Sequence, residues 1–283
     1  MAVSDTTEAA VRRKTLPELM LEADRQVRLE RGRNLAIAVV FLVVLAFTYQ
    51  RTEFDPLRLL EGLVNMQRVL IGFTHPDLKV LPDVLNLALV TLLTAVLGTT
   101  IGTVIAIPLS FVAARNLMRR SVAGSAVYFF VRALMSVIRA VPTLFWGILW
   151  VITVGIGSFP GVLAVATFSV GLISKLFSEA IEAIDWGQVE ALTATGANPI
   201  QVIVHGVLPQ VTPYMIANVL YTFEVNVHSS TVLGVVGAGG IGLLFQQYIG
   251  LFLYSDMATL LIVVIVMTMV IDYSSAAIRR RII

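Results

Sequence analysis

Residues 190 to 210 have the sequence EALTATGANPIQVIVHGVLPQ, and this stretch between two long apolar tracts contains one ionised side chain, that of Glu190. Gly196 is suited to the left-handed cap that often ends a helix. Asn198 and Pro199 have the residue types of an N-cap and a first helical position. The pattern therefore predicts two short helices that meet at a glycine elbow.

The second of these helices has an apolar face. Four side chains recur on it at helical spacing, namely Ile200, Ile203, Val204 and Val207. Pro209 and Pro213 are expected to end the helix. A loop of about residues 185 to 213 cannot bury this face by itself, so we expect a partner to cover it. A hairpin lying on lipid is the alternative, but it would need basic residues, and the chain has none between Lys175 and Arg279.

The composition of the 283-residue chain is that of an integral membrane protein. Hydrophobic residues make up 57% and charged residues 13%, whereas a soluble domain has roughly 25% charged residues. The chain has no cysteine, which excludes disulfides, thiol nucleophiles, zinc–thiolate sites and iron–sulfur clusters.

Uncharged tracts of the roughly 20 residues that cross a bilayer place the membrane spans. The uncharged tract from Ala140 to Ser174 is too long for one helix, and it contains the helix-breaking sequence GIGSFPG at residues 155 to 161. We predict an all-α integral membrane protein with about six transmembrane helices. They are placed at residues 35 to 50, 84 to 110, 130 to 155, 161 to 182, 214 to 235 and 257 to 277.

The distribution of basic residues predicts the orientation of the chain. With the N-terminus inside, thirteen of the 20 Lys and Arg residues fall on the cytoplasmic side and four outside. Both termini and the loop are then cytoplasmic. Residues 1 to 34 are predicted to form a cytoplasmic amphipathic segment, helical from Leu16 to Arg33, with a solvated charged tail as the alternative. Residues 35 to 283 form the transmembrane domain.

A second amphipathic helix is predicted on the outer surface. Asp55 and Pro56 are suited to its N-cap and first position. Leu57, Leu60 and Val64 follow at helical spacing.

The loop resembles the EAA signature of ABC importer permeases. Glu190-Ala191, Gly196 and Leu208-Pro209 match it with the spacing kept. Leu192 stands where the family has a second alanine, and Gly206 where isoleucine is usual, which weakens the second helix near its end. The resemblance implies that residues 185 to 213 are a coupling loop docked on an ATP-hydrolysing subunit. Its implied docking residues are Glu190, Ala191, Gly196, Asn198, Pro199, Leu208 and Pro209.

The sequence FEVNVHSSTVLGVVGAGGIG at residues 223 to 242 closely resembles phosphonate ABC-transporter permeases. This resemblance covers roughly residues 80 to 283 and implies the type I ABC importer permease fold. It also implies import of phosphonate, or of a related phosphorus oxyanion such as phosphate or phosphite, across the cell membrane of a prokaryote. The implied partners are a second copy of the chain, two ATP-binding cassette subunits that hold ATP and Mg, an extracytoplasmic substrate-binding protein and membrane lipid, with no nucleic acid.

The glycine run at residues 237 to 242 formally matches G-x-G-x-x-G. A dinucleotide site would need a βαβ unit around it, whereas these glycines join two spans. A non-helical turn or a close backbone approach is expected instead. Either substrate contact or helix packing explains Gly237, Gly239, Gly240 and Gly242.

Ionisable side chains within spans are costly and indicate a function or a partner. Glu224 is expected to form an intramembrane ion pair with Arg132, Arg139 or His228, since a carboxylate is a poor lining for an anion path. Arg139 has a second interpretation, in which it supplies positive charge to the path or snorkels to the cytoplasmic interface. The candidate path or gate residues are those able to donate hydrogen bonds to an oxyanion, namely His228, Ser229, Ser230 and Thr231.

No catalytic constellation is present in the sequence. The three histidines are scattered, and neither H-E-x-x-H nor a G-x-x-x-x-G-K phosphate-binding loop occurs. The chain is therefore expected to be a transport subunit without its own cofactor, not an enzyme. A methionine-type or other small-solute ABC permease is the nearest alternative. A secondary transporter would be expected to show inverted repeats, and none is visible.

Overall fold

The computed structural model describes residues 16–52, 55–118 and 121–282, and the regular elements in these ranges are all helical. The chain divides between Met66 and Gln67 into two compact units. The predicted N-terminal segment before Leu16 lies outside the described residues.

The first unit contains helix α1, Leu16–Arg51, and the beginning of α2, Pro56–Phe73. Helix α1 runs continuously through residue 34, so the predicted helix from Leu16 to Arg33 and the first span form one element. The N-cap predicted for α2 is confirmed, because Asp55 Oδ1 accepts a hydrogen bond of 2.9 Å from the Leu57 backbone N–H.

After the end of α2, the described residues of the second unit form five long α-helices and five shorter ones. The long helices are α3 (Leu81–Val112), α5 (Val122–Ala140), α7 (Ser158–Glu182), α10 (Leu208–Leu233) and α12 (Tyr254–Ile282). The shorter ones are α4 (Arg115–Met118), α6 (Thr143–Val154), α8 (Trp186–Ala194), α9 (Pro199–Val202) and α11 (Gly242–Gly250).

The prediction of six apolar spans is confirmed, since six helical segments among residues 16–52, 55–118 and 121–282 are long and apolar enough to cross a membrane. The continuous third span predicted at residues 130 to 155 is wrong. Helix α5 starts earlier, at Val122, and the chain breaks at Val141 and Pro142 before α6 begins. Proline lacks an N–H donor and pushes the preceding residue out of the helical region. Val141 accordingly has extended angles, φ −87° and ψ 120°.

The predicted end of the loop's second helix is also wrong. A π-helical turn at Ile203–Val207 connects α9 to α10, so neither Pro209 nor Pro213 ends the helix. Pro209 lies in the first turn of α10, directly after the π-helical turn.

Helix α7 lies at the centre of the second unit and packs against α3, α5, α6 and α10. Close packing against α3 depends on two glycines. A Cβ atom on Gly98 would lie 2.6 Å from Val165 Cγ1, and one on Gly102 would collide with Ser169 Cβ. The small-residue pair Gly98 and Gly102 therefore serves packing between helices of the same chain.

Candidate functional site

The loop has the predicted helix–elbow–helix geometry. Asp185 caps α8 by accepting a 2.9 Å hydrogen bond from the Gly187 N–H. Gly196 has φ +83°, in the left-handed region that favours glycine. Asn198 and Gln201 form a reciprocal capping box at the start of α9, with both hydrogen bonds at 2.9 Å. These local rules explain why the sequence alone predicts the elbow.

The base of the loop is closed by one side chain. Gln210 accepts a hydrogen bond from the Asp185 N–H at 2.9 Å, and its amide nitrogen donates to the Gly206 carbonyl at 2.7 Å. The entry to α8 and the start of α10 are thereby joined directly.

Only part of the apolar face predicted for the second helix is buried. Val207 is fully buried and packs in one core cluster with Val189. Ile200 and Val204 remain 73% and 46% exposed. The loop is therefore held to the rest of the protein by buried side chains such as Val207, while Ile200 and Val204 remain exposed. Seven predicted docking residues are exposed, namely Glu190, Ala191, Gly196, Asn198, Pro199, Leu208 and Pro209.

A charged cluster lies where α7 ends and the loop approaches. Glu182 Oε1 is 2.7 Å from Arg132 Nη1 and accepts a 2.8 Å hydrogen bond from the Arg115 backbone N–H. Arg132 also donates to the Tyr128 hydroxyl at 2.7 Å. The prediction that Arg132 pairs with Glu224 is therefore wrong. The sequence gives little sign of this pair, because its two members are 50 positions apart.

Glu224 pairs instead with Arg279 of α12, at 2.8 Å between Oε1 and Nη1. Its expected pairing with Arg139 or His228 is wrong as well. Glu224 faces α12, and His228 Nδ1 lies 2.8 Å from the backbone carbonyl of Glu224, not from its carboxylate. Arg279 could not be predicted as the partner from the sequence, because the three arginines at the basic end of the chain are equally well explained as a signal of membrane topology.

The candidate path residues of α10 lie on different faces. His228 is exposed, Ser229 is partly buried, and Ser230 is only 2% exposed. The Thr231 hydroxyl donates to the Val227 carbonyl at 3.0 Å. Within the described residues the Ser230 hydroxyl has no hydrogen-bond partner.

His228 belongs to an exposed stripe of α10. Tyr214, Tyr221 and His228 recur every seven residues, and Val232 continues the same face. Polar groups at membrane depth ordinarily face a bundle interior, a partner or a water-filled cavity. The seven-residue spacing of the two tyrosines and the histidine is the signal that sequence analysis missed.

A buried polar layer, consisting of Thr99, Ser169 and Asn226, links α3, α7 and α10. The Asn226 amide nitrogen donates to the Thr99 and Ser169 hydroxyls, at 2.8 and 2.7 Å, and all three residues are buried. None of the three could be assigned this role from the sequence, because the layer joins residues from three distant parts of the chain.

The glycine run forms tight turns and close contacts. Gly237, Gly239 and Gly240 have φ between +79° and +84°. A Cβ atom on Gly239 would lie 2.8 Å from Ser158 Cα, and one on Gly242 would lie 2.5 Å from the Thr231 carbonyl oxygen. Turn formation and backbone packing therefore account for these glycines.

Two comparisons with relatives agree with this architecture. Residues 106–283 match the family model for the binding-protein-dependent transport system inner membrane component. The chain belongs to this family. The inner membrane component is 36% identical over 267 residues to the phosphite transport system permease protein PtxC of Stutzerimonas stutzeri, covering 92% of this chain and 96% of PtxC. It is 38% identical over 228 residues to the phosphate-import permease protein PhnE of Mycolicibacterium smegmatis, covering 81% of this chain and 42% of PhnE.

A solved structure confirms the fold of this inner membrane component. A chain of the MetNI methionine ABC transporter, in an inward-facing conformation, superposes with a TM-score of 0.65. The match covers 73% of this chain and 99% of that one, at 23% identity. The chain is thus a multi-pass membrane protein with the architecture of an ABC transporter permease.

Proposed function

We propose that this chain is the membrane-spanning permease subunit of an ATP-driven importer for phosphonate or a related phosphorus oxyanion, such as phosphate or phosphite. An extracytoplasmic binding protein delivers the substrate. Identity of 36% to a phosphite permease over nearly the whole of both chains is the observation that carries the substrate class.

In this proposal, another chain binds and hydrolyses ATP. The exposed loop residues, Glu190, Gly196 and Pro199 among them, dock on an ATP-binding cassette subunit that holds ATP and Mg. The outward-facing Ile200 and Val204 support this, because the free energy falls when a partner covers apolar surface. Both termini then lie in the cytoplasm with the loop, as the distribution of basic residues supports.

The full transporter contains two copies of this permease and two ATPase subunits. One chain has one coupling loop, and two-fold symmetry is the commonest closed arrangement. The exposed stripe of α10, from Tyr214 through His228, is the surface that we assign to the central path between the copies.

The test is uptake by the complete transporter, reconstituted in liposomes with its ATPase and its binding protein. We expect ATP-dependent accumulation of at least one of phosphate, phosphite and methylphosphonate. Uptake of methionine in place of all three would favour a methionine-type permease and contradict the proposed substrate class. Uptake driven by an ion gradient without ATP would contradict the proposed coupling.

A further inference from the structure

Glu182 holds the end of α7 to two neighbouring segments. Its Oε1 atom lies 2.7 Å from Arg132 Nη1 of α5 and accepts a 2.8 Å hydrogen bond from the backbone N–H of Arg115, at the start of α4. Asn116 of α4 donates a 2.8 Å hydrogen bond to the Ile181 carbonyl, one of the carbonyls that a helix end leaves without an intrahelical partner. The side chains of Glu182 and Arg132 are only 26% and 28% exposed, so water and salt screen this pair less than a surface pair.

The Glu182–Arg132 pair lies at the base of the loop. The loop begins at Asp185, three residues after Glu182. An apolar cluster, which includes Val189 of α8 and the buried Val207, packs the loop against α3, α7 and α10. Among the described residues, no side chain of α5 belongs to this cluster. At this end of the protein, α5 is therefore connected to the helices that carry the loop by a polar contact and not through the apolar cluster.

Helices α5 and α6 together form one broken helix, which packs against α7. The Trp146 indole N–H of α6 donates a 3.2 Å hydrogen bond to the Ile138 carbonyl of α5, across the break. The Trp150 indole N–H donates a 3.1 Å hydrogen bond to the Thr167 hydroxyl of α7. The contacts of the broken helix therefore run along α7, from Glu182 toward the opposite end of that helix.

The far end of the broken helix contacts the end of α10. Leu233, the last residue of α10, is 1% exposed and packs in one apolar cluster with Trp146 and Trp150. A Cβ atom on Gly147 would lie 2.5 Å from Leu233 Cδ2, so α6 and α10 are in close contact. Leu233 directly follows Val232 of the exposed α10 stripe. The broken helix thus links the base of the loop to the end of the stripe that is farther from the loop.

We propose that Glu182 is a positioning residue for transport, which transmits movement of the loop to the broken helix and so to the far end of the path. This inference rests on the proposed function, because the ATPase is what moves the loop. Ion pairs, packed side chains and rigid helices are the means by which distant sites are coupled. With Arg132 and the Arg115 N–H bound to one carboxylate, the ends of α4, α5 and α7 move together. Without that carboxylate, α7 moves while α5 stays behind.

The experiment measures two ratios in the complete reconstituted transporter, with radiolabelled phosphate, phosphite and methylphosphonate as substrates. The first is the number of substrate molecules taken up per ATP hydrolysed. The second is the stimulation of ATP hydrolysis by the binding protein, which tests the same coupling in reverse. Glu182→Ala is expected to lower both ratios about threefold or more, an effect of the size found for residues that modulate coupling between distant sites.

A purely structural role for Glu182 would give a different result. Loss of stability reduces the number of working transporters, so uptake and ATP hydrolysis would fall in proportion and both ratios would keep their wild-type values. Wild-type ratios in Glu182→Ala, with or without a lower melting temperature, would therefore overturn the inference.

The matched control is Glu179→Ala, three residues earlier on the same helix. Glu179 pairs with Lys175 of its own helix at 3.2 Å, so its removal disconnects no other helix, and both ratios are expected to stay at wild-type values. Equal losses in Glu179→Ala and Glu182→Ala would overturn the role assigned to Glu182.

Glu182→Gln is the second test. Its amide oxygen still accepts a hydrogen bond from the Arg115 N–H but carries no charge for Arg132, so both ratios are expected to lie between those of the wild type and of Glu182→Ala. This variant decides alone if Glu182→Ala does not assemble, and wild-type ratios in it would then overturn the inference.

Failure of the proposed function gives distinct results. Uptake of methionine in place of the three oxyanions would reject the proposed substrate class, while both ratios, measured with methionine, would still test Glu182. A wild type without ATP-dependent uptake would reject the proposed coupling and the role of Glu182 together.

Discussion

At the scale of single residues, Gly196 illustrates a requirement set by the backbone alone. No atom lies within 4 Å of a Cβ placed on Gly196, while its φ is +83°. A substitution there therefore meets strain without any clash.

We expect Gly196→Val to strain the elbow by about 1 to 2 kcal/mol or more and to reduce both uptake and stimulated ATP hydrolysis. Gly196→Asn is the matched control, because asparagine tolerates the left-handed conformation and should keep most of both activities. The chain should insert in the membrane in both variants. Equal activity of the valine and asparagine variants would contradict the role assigned to the elbow.

The Glu224–Arg279 pair is a second feature at this scale. Glu224→Ala should lower the free energy of unfolding by about 1 to 3 kcal/mol, less than for a fully buried pair because the Arg279 side chain is 29% exposed. In thermal unfolding, the double variant Glu224→Ala/Arg279→Ala should lose less stability than the sum of the two single variants, since it leaves no unpaired charge. Strict additivity would show that the two groups do not stabilise each other. A stable Glu224→Ala variant without uptake would place Glu224 in the path instead.

At the scale of elements, the close contact between α3 and α7 requires glycine, which has no side chain, at two positions of α3. A Cβ atom on Gly102 would collide with Ser169, a member of the buried polar layer.

Gly102→Val is expected to cost about 1 to 3 kcal/mol by overpacking and to disturb the hydrogen bonds of Asn226. Gly250→Ala serves as its control, because no atom lies within 4 Å of a Cβ there. The measurement is the melting temperature of each purified variant. A Gly102→Val protein as stable as the Gly250→Ala protein would contradict this account of the α3–α7 contact.

Elements governed by local rules could be predicted from the sequence, and those governed by distant contacts could not. The caps at Asp185 and Asn198 and the glycine elbow depend on neighbouring residues, and all are confirmed. The break at Pro142 could not be predicted from the sequence, because the glycine-rich segment that begins 13 residues later, at Gly155, is the stronger signal of a turn. The ion pairs of Glu182 and Glu224 depend on how α5, α7, α10 and α12 pack, which no local pattern encodes.

At the scale of the whole molecule, the exposed stripe of α10 predicts where two copies approach each other. The chain has no native cysteine, so cysteines can be introduced singly. We expect cross-links between copies from Tyr221→Cys, His228→Cys or Val232→Cys, all at exposed positions. Ser230→Cys, at a position only 2% exposed, is the control that should not cross-link.

The outcome distinguishes three arrangements. Cross-links confined to the exposed positions support two copies around a central path. Cross-linking to a different permease chain in the native membrane would indicate a mixed pair. Failure at every exposed position, with a single copy per purified complex, would refute the dimer.

The path assigned to the exposed stripe of α10 has a further consequence in a cell whose interior is electrically negative. Each elementary charge that crosses the membrane is worth roughly 2.3 kcal/mol per 100 mV, so a doubly charged oxyanion gains about twice that by escaping outward. A path that admits the oxyanion lowers the barrier equally for entry and for escape. The two mouths of the path can therefore never be open together, and the rate of leakage in the absence of ATP sets how far the path can open on both sides at once.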